Sequence, residues 1–166
     1  MVSLFHSSIC NRQSSIPLNP KIFLDREGNW FCDGEEITHP RTVQLFSRSL
    51  RKCPGGKYEL SIGKENCPVE IEDTPYLIRR VDFDSHRITV TLNDESEEPL
   101  APESLEVGEN DVLYCRVKQG EHPARFLRKA YYQLSDRVEY NERCGFHLKI
   151  SGKEFPIRTK GKGHSA

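Results

Sequence analysis

HPARFLRKAYYQLSDRVEY, residues 122–140, decides how this chain is read. Leu127, Ala130, Tyr131, Leu134 and Val138 recur every three to four residues, so the spacing predicts an amphipathic helix over 123–140. The opening dipeptide His122-Pro123 repeats His39-Pro40, after which Val43, Phe46 and Leu50 keep the same period. In that earlier stretch Thr38 offers an N-cap and Pro40 suits a first helical turn. Pro54-Gly55-Gly56 then ends the helix by Lys52.

Outward from the two helices, the halves of the chain run in parallel. An offset of 84 pairs Arg41 with Arg125, Val43 with Leu127, Phe46 with Ala130 and Leu50 with Leu134. An offset of 88 pairs Tyr58 with Phe146, Leu60 with Leu148, Ile62 with Ile150, Pro68 with Pro156 and Val69 with Ile157. Upstream, Leu24, Gly28-Asn29 and Cys32 echo Leu105, Glu109-Asn110 and Cys115. Agreement in order over these positions points to duplication of one unit. The predicted fold is α+β: a duplicated hairpin–helix–hairpin unit, with mostly antiparallel sheets and one amphipathic helix each.

The intervening segments fit this plan. Ile22-Phe23-Leu24 and Trp30-Phe31-Cys32 flank a turn whose Gly28 and Asn29 tolerate positive φ, which reads as a hairpin. Tyr76–Phe83 reads as a strand, and Ile88, Val90 and Leu92 alternate strictly in the next one. Residues 93–103 read as an exposed acidic loop, and Leu105–Val107 with Val112–Val117 as a further hairpin. The expected organisation is a mobile arm over 1–20, a first unit over 21–75, a second over 76–157 and a loose tail over 158–166.

Bulk properties narrow the function classes. Among 166 residues, 24 basic and 25 acidic side chains leave a net charge of -1, so no global field favours nucleic acid or an anionic membrane. Residues 82–111 are strongly acidic and residues 112–166 are basic. That contrast fits mutual neutralisation within the fold, or a basic patch for an anionic ligand. The N-terminus shows neither a basic n-region nor an apolar h-region, so cytoplasmic location and reduced thiols are expected for the six cysteines. Cys144-x-x-His147 is the only short metal-type pair, and no second pair completes four ligands; no metal or cofactor is expected. No Gly-x-Ser-x-Gly elbow or phosphate loop is present, and the chain is expected to be no enzyme.

Three motifs carry a resemblance. Gly28-Asn29-Trp30-Phe31 through His39-Pro40 to Leu50-Arg51, then Val69-Glu70-Ile71-Glu72-Asp73-Thr74-Pro75-Tyr76, then Ala124-Arg125-Phe126-Leu127-Arg128 with Tyr131-Tyr132 and Leu134, resemble in order a bacterial family, domain of unknown function 1285. The resemblance runs from about residue 22 to 157. It implies a duplicated fold whose C-terminal unit is similar to pleckstrin-homology-like domains, a nucleotide-like ligand between the units, and a part in signal transduction. The chain departs from the family pattern at Lys129, where proline is usual, and over Phe146–Ile150, where a tryptophan is usual.

Candidate site residues follow from the second helix. At 100° per residue, Arg125, Arg128, Lys129 and Tyr132 share the face opposite the apolar stripe. Guanidinium forks bind phosphate or carboxylate bidentately, and a neighbouring aromatic ring stacks on a base. A solvated helix face has the same composition. Arg41 holds the position equivalent to Arg125 at the offset of 84. Asp73, in Asp73-Thr74-Pro75 between the units, either orients an arginine or a ribose hydroxyl, or simply caps a turn. The expected ligand site is therefore Arg41, Asp73, Arg125, Arg128 and Tyr132, in a non-enzymatic regulatory module for a small anionic, nucleotide-like ligand bound between the units. The alternative is an adaptor that docks a protein partner and takes no small ligand.

Overall fold

A computed structural model describes residues 19–160. Residues 1–18 of the arm expected over 1–20, and residues 161–166 of the tail expected over 158–166, lie outside them. The chain divides into two compact units on either side of the Pro75–Tyr76 bond.

In the first unit, β1 (Ile22–Leu24), β2 (Trp30–Cys32) and β3 (Glu35–Glu36) form a meander, followed by helix α1 (Pro40–Ser49) and a second meander. The latter comprises β4 (Leu50–Lys52), β5 (Tyr58–Ile62) and β6 (Glu65–Ile71). Together they make one six-stranded sheet, ordered β3-β2-β1-β6-β5-β4, closed by the parallel pair β1–β6. The β1–β2 turn is set by Asp25, whose carboxylate accepts the amides of Glu27 and Asn29, and by Gly28 at φ 93°. Ile22, Leu24, Trp30 and Cys32 point inward. Trp30 meets Phe46 of α1 edge-on and donates its indole N–H to Ser47 at 3.2 Å, so the one tryptophan pins the helix to the sheet. Helix α1 stops three residues before Lys52, because Leu50 leaves helical geometry to pair with Leu60.

The second unit begins with β7 (Tyr76–Phe83), β8 (Ile88–Leu92) and β9 (Glu97–Pro99). It continues through β10 (Glu106–Val107), β11 (Leu113–Val117), β12 (His122–Phe126) and helix α2 (Arg128–Ser135). The last elements are β13 (Val138–Asn141), β14 (Gly145–Ile150), β15 (Lys153–Pro156) and β16 (Arg158–Thr159). A seven-stranded sheet, ordered β16-β10-β11-β12-β7-β8-β9, and a three-stranded sheet, β13-β14-β15, share one core with α2. Leu105, Leu113, Cys115, Ala124 and Phe126 from the larger sheet meet Ala130, Leu134 and Leu148 there.

Three expectations need correction. The helix expected over 123–140 is a strand, a short helix and another strand. In HPARF, Ala124 and Phe126 are buried while the alternate residues are half-exposed, a period of two that the helical stripe masked. The acidic loop expected over 93–103 contains β9, which pairs Glu97 with Thr91 and Pro99 with Thr89. The tail is not loose at its start: Arg158 lies beside Glu106 and Thr159 beside Val107.

The duplication is visible in strand register. Leu50 faces Leu60 in the first unit, and Val138 faces Leu148 in the second. Leu60 faces Cys67, and Leu148 faces Phe155. Each second pair stands 88 residues beyond its counterpart. The helices keep that offset: Pro40 and Arg128 are the first residues, and Phe46 and Leu134 are buried at matching positions. The parallel β1–β6 pair also recurs as β10–β16. The offset of 84 for the helices is therefore overturned. His122-Pro123 lies in a strand, and the counterpart of Arg41 is Lys129 rather than Arg125.

Candidate ligand cavity in the second unit

Helix α2 packs its Ala130 and Leu134 into the core and turns Tyr131 and Ser135 toward the β13–β14 hairpin. A cavity of about 480 Å³ lies there, lined by Val107, Leu113, Val138 and Ile157 together with Tyr131 and Phe146. Asp111, Ser135 and Thr159 supply its polar lining. This is the size and composition of a small-molecule site: mostly apolar walls with a few polar groups that orient the guest.

Aromatic rings crowd the mouth. Tyr131 is 38% exposed and Phe146 53%, although both line the cavity. Phe146 contacts Tyr140 at 5.1 Å between centroids, and Tyr131 contacts Tyr132 at 5.7 Å. Tyr131 and Phe146 thus keep part of their surface in water at the cavity, each against a second exposed ring, where full burial would be favourable by ~1.5–3 kcal/mol per large side chain.

The sequence-predicted residues are placed as follows. Arg128 is the first residue of α2 and Tyr132 lies one turn further on, so both share an exposed helix face. Arg125 is on β12 opposite Tyr114, half-buried, between the inward-facing Ala124 and Phe126. Arg41 is exposed near the start of α1, and Asp73 is exposed just after β6, both in the first unit. Of the five, the structure of the second unit brings together Arg128 and Tyr132. The cavity residues Asp111, Leu113 and Phe146 were not anticipated. Tyr131 belonged to the apolar stripe of the helix, and its phenol on that stripe was the signal available.

A larger groove of about 930 Å³ lies elsewhere in the second unit, lined by Glu98, Glu103, Arg116, Lys118, Glu121 and Arg158 among others. Much of its charge is already compensated. Lys118 Nζ lies 2.9 Å from Asp94 and 2.6 Å from Ser96 Oγ, and stands over the Tyr76 ring. Burial alone pushes the Asp94 carboxyl up. The bonds from Lys118 and Ser96 outweigh it and hold the carboxyl below the usual carboxylate range. Arg158 donates to the carbonyl of Glu103.

The cysteines split by environment. Cys32, Cys53, Cys67, Cys115 and Cys144 are free thiols. Burial, with the Glu98 charge added, pushes the Cys115 thiol up to about 12, whereas Cys144 is exposed. Among the described residues no group of three or more His, Cys, Asp or Glu side chains is arranged to hold a metal ion, and no helix is long and apolar enough to cross a membrane.

Mixed α+β architecture, two units of like topology and a cavity beside the second helix define the class to which this chain can be compared. Solved structures with the same fold are DUF1285 family proteins. The one from Silicibacter pomeroyi matches with a TM-score of 0.71 at 22% identity, over 95% of each chain. One from Shewanella baltica matches with a TM-score of 0.57 at 20% identity, over 70% of this chain and 91% of that one. The fold is thus that of the family whose motifs the sequence resembles. No family model matches the chain, and no curated protein does.

Proposed function

We propose that this chain is a non-enzymatic regulatory module that binds a small ligand in the cavity between α2 and the β13–β14 hairpin. The observation that carries the reading is the aromatic margin: Tyr131 and Phe146 line an apolar cavity yet stay exposed, as rings do when they await a guest. A ligand with a flat apolar body fits between them, and the hydroxyls of Ser135 and Thr159 serve to orient it. The lining supplies contact surface, hydroxyls and one carboxylate. Nucleophilic work calls for a nucleophile held within hydrogen-bond reach of its base. Arg128 and Tyr132 lie on the exposed face of α2, outside the described lining of the cavity.

Thermal shift on wild-type protein and a Ser135→Trp variant tests the reading, with a panel of nucleotides, cyclic dinucleotides, phosphometabolites and small aromatic amines. A ligand at 100 times its dissociation constant stabilises the fold by about 2.7 kcal/mol. The indole at position 135 fills the cavity and should abolish that shift. Silence across the panel would favour docking of a protein partner.

A further inference from the structure

We infer that the cavity of the second unit is built for an organic cation: an ammonium group carried on an apolar or aromatic body. This deepens the ligand-binding reading above and rests on it. Among the described residues, the one charged side chain that lines the cavity is Asp111, a carboxylate. The carboxylate is exposed to water, and no hydrogen bond or ion pair to another described residue holds it. Its position is set by a tight turn. Gly108 donates its amide to the Val112 carbonyl at 2.8 Å, Val112 donates back to Glu109, and Asn110 and Asp111 both take left-handed geometry at φ 56° and 57°.

The same cavity offers aromatic rings. Tyr131 and Phe146 line it, and Tyr140 packs edge-on against Phe146. Ring faces carry the negative part of the aromatic quadrupole, so rings beside a carboxylate attract an ammonium group from several sides while tolerating its apolar substituents. A phosphate or carboxylate in the same cavity would meet the like charge of Asp111, which repels it. The nearby lysine, Lys160, is directed to Glu106 at 3.8 Å and is not among the lining residues.

The experiment is an amide-resolved NMR titration of the full chain with three probes that share a phenyl body: benzyltrimethylammonium, benzyl alcohol and benzenesulfonate. The ammonium probe should shift amides at Tyr131, Ser135 and Phe146 with the lowest dissociation constant. Asp111→Asn, which keeps a residue tolerant of positive φ, should weaken the ammonium about tenfold and leave benzyl alcohol unchanged. Phe146→Leu should weaken the ammonium more than the alcohol. If benzenesulfonate binds as tightly as the ammonium, or Asp111→Asn leaves the ammonium unaffected, the cation inference fails while a ligand cavity stands. If no probe shifts these amides, the inference and the ligand reading fail together.

Discussion

Tyr140 lies directly opposite Phe146 across the β13–β14 hairpin, and the two rings meet at 60° with centroids 5.1 Å apart. Cross-strand aromatic pairs add ~0.2–1 kcal/mol to a hairpin, and here both rings stay mostly in water. Phe146→Ser should therefore cost less than about 1 kcal/mol of stability by chemical denaturation. The same change should abolish ligand binding. Binding that survives it would remove the hairpin from the site.

Leu60 and Leu148 occupy equivalent places in the two units and are both fully buried. Truncating either to alanine leaves a cavity in a different core, so each should cost ~2–5 kcal/mol. Denaturant titration of Leu60→Ala and Leu148→Ala checks this. A loss below 1 kcal/mol at either position would show that it is not the core centre the register assigns.

Gly108 has no side chain because Tyr114 leaves no room for one: a Cβ there would come 2.7 Å from Tyr114 Cε2. Gly108→Ala should push the ring aside at a cost of ~1–3 kcal/mol. It should also displace the Asp111 turn, visible as amide shifts over 108–113. Unchanged spectra would mean that the turn is not held by this contact.

Acid stability should depend on Asp94. Its carboxyl is held below the ordinary value in the folded state, so the unfolded chain binds the proton more readily. The contribution is present above roughly pH 4 and lost as pH falls through the lower folded value. Asp94→Asn should flatten the acid limb of a stability–pH profile and lower stability near neutrality. An acid limb as steep as wild type would contradict the assignment.

At alkaline pH the sign reverses for Cys115. Burial raises its thiol to about 12, so the unfolded thiol ionises first and stability falls above roughly pH 8.5. Cys115→Ala should lessen that fall. In alkylation followed by peptide mass spectrometry, exposed Cys144 should react well before Cys115. Equal rates would indicate that the core opens on the labelling timescale.

Strand alternation made much of this fold legible. Tyr58, Leu60 and Ile62, and again Phe146, Leu148 and Ile150, announce strands of one design, and their offset of 88 is the offset of the structure. Helix α2 was harder. Leu127, Ala130 and Leu134 keep helical spacing whether or not the helix extends further, so the flanking strands at Ala124–Phe126 and Val138 were absorbed into it. Read as one helix, the stretch puts Arg125 on a helix face and matches it with Arg41, whereas Arg125 lies on β12 opposite Tyr114. The cavity was not legible, because a gap among α2, β10–β11 and β13–β14 has no sequence pattern. Asp111 stood as one acidic residue among many in its segment until the turn around it was seen.

The most direct measurement is a methyl-resolved NMR titration of the full chain with benzyl alcohol, observing Val107, Leu113, Val138 and Ile157. Their methyl groups line the cavity, so a bound ring should shift all four saturably and show intermolecular NOEs to them, and Ser135→Trp should erase both effects. Shifts that rise linearly without saturating, that fall on other methyl groups, or that persist in Ser135→Trp would contradict a ligand site in this cavity.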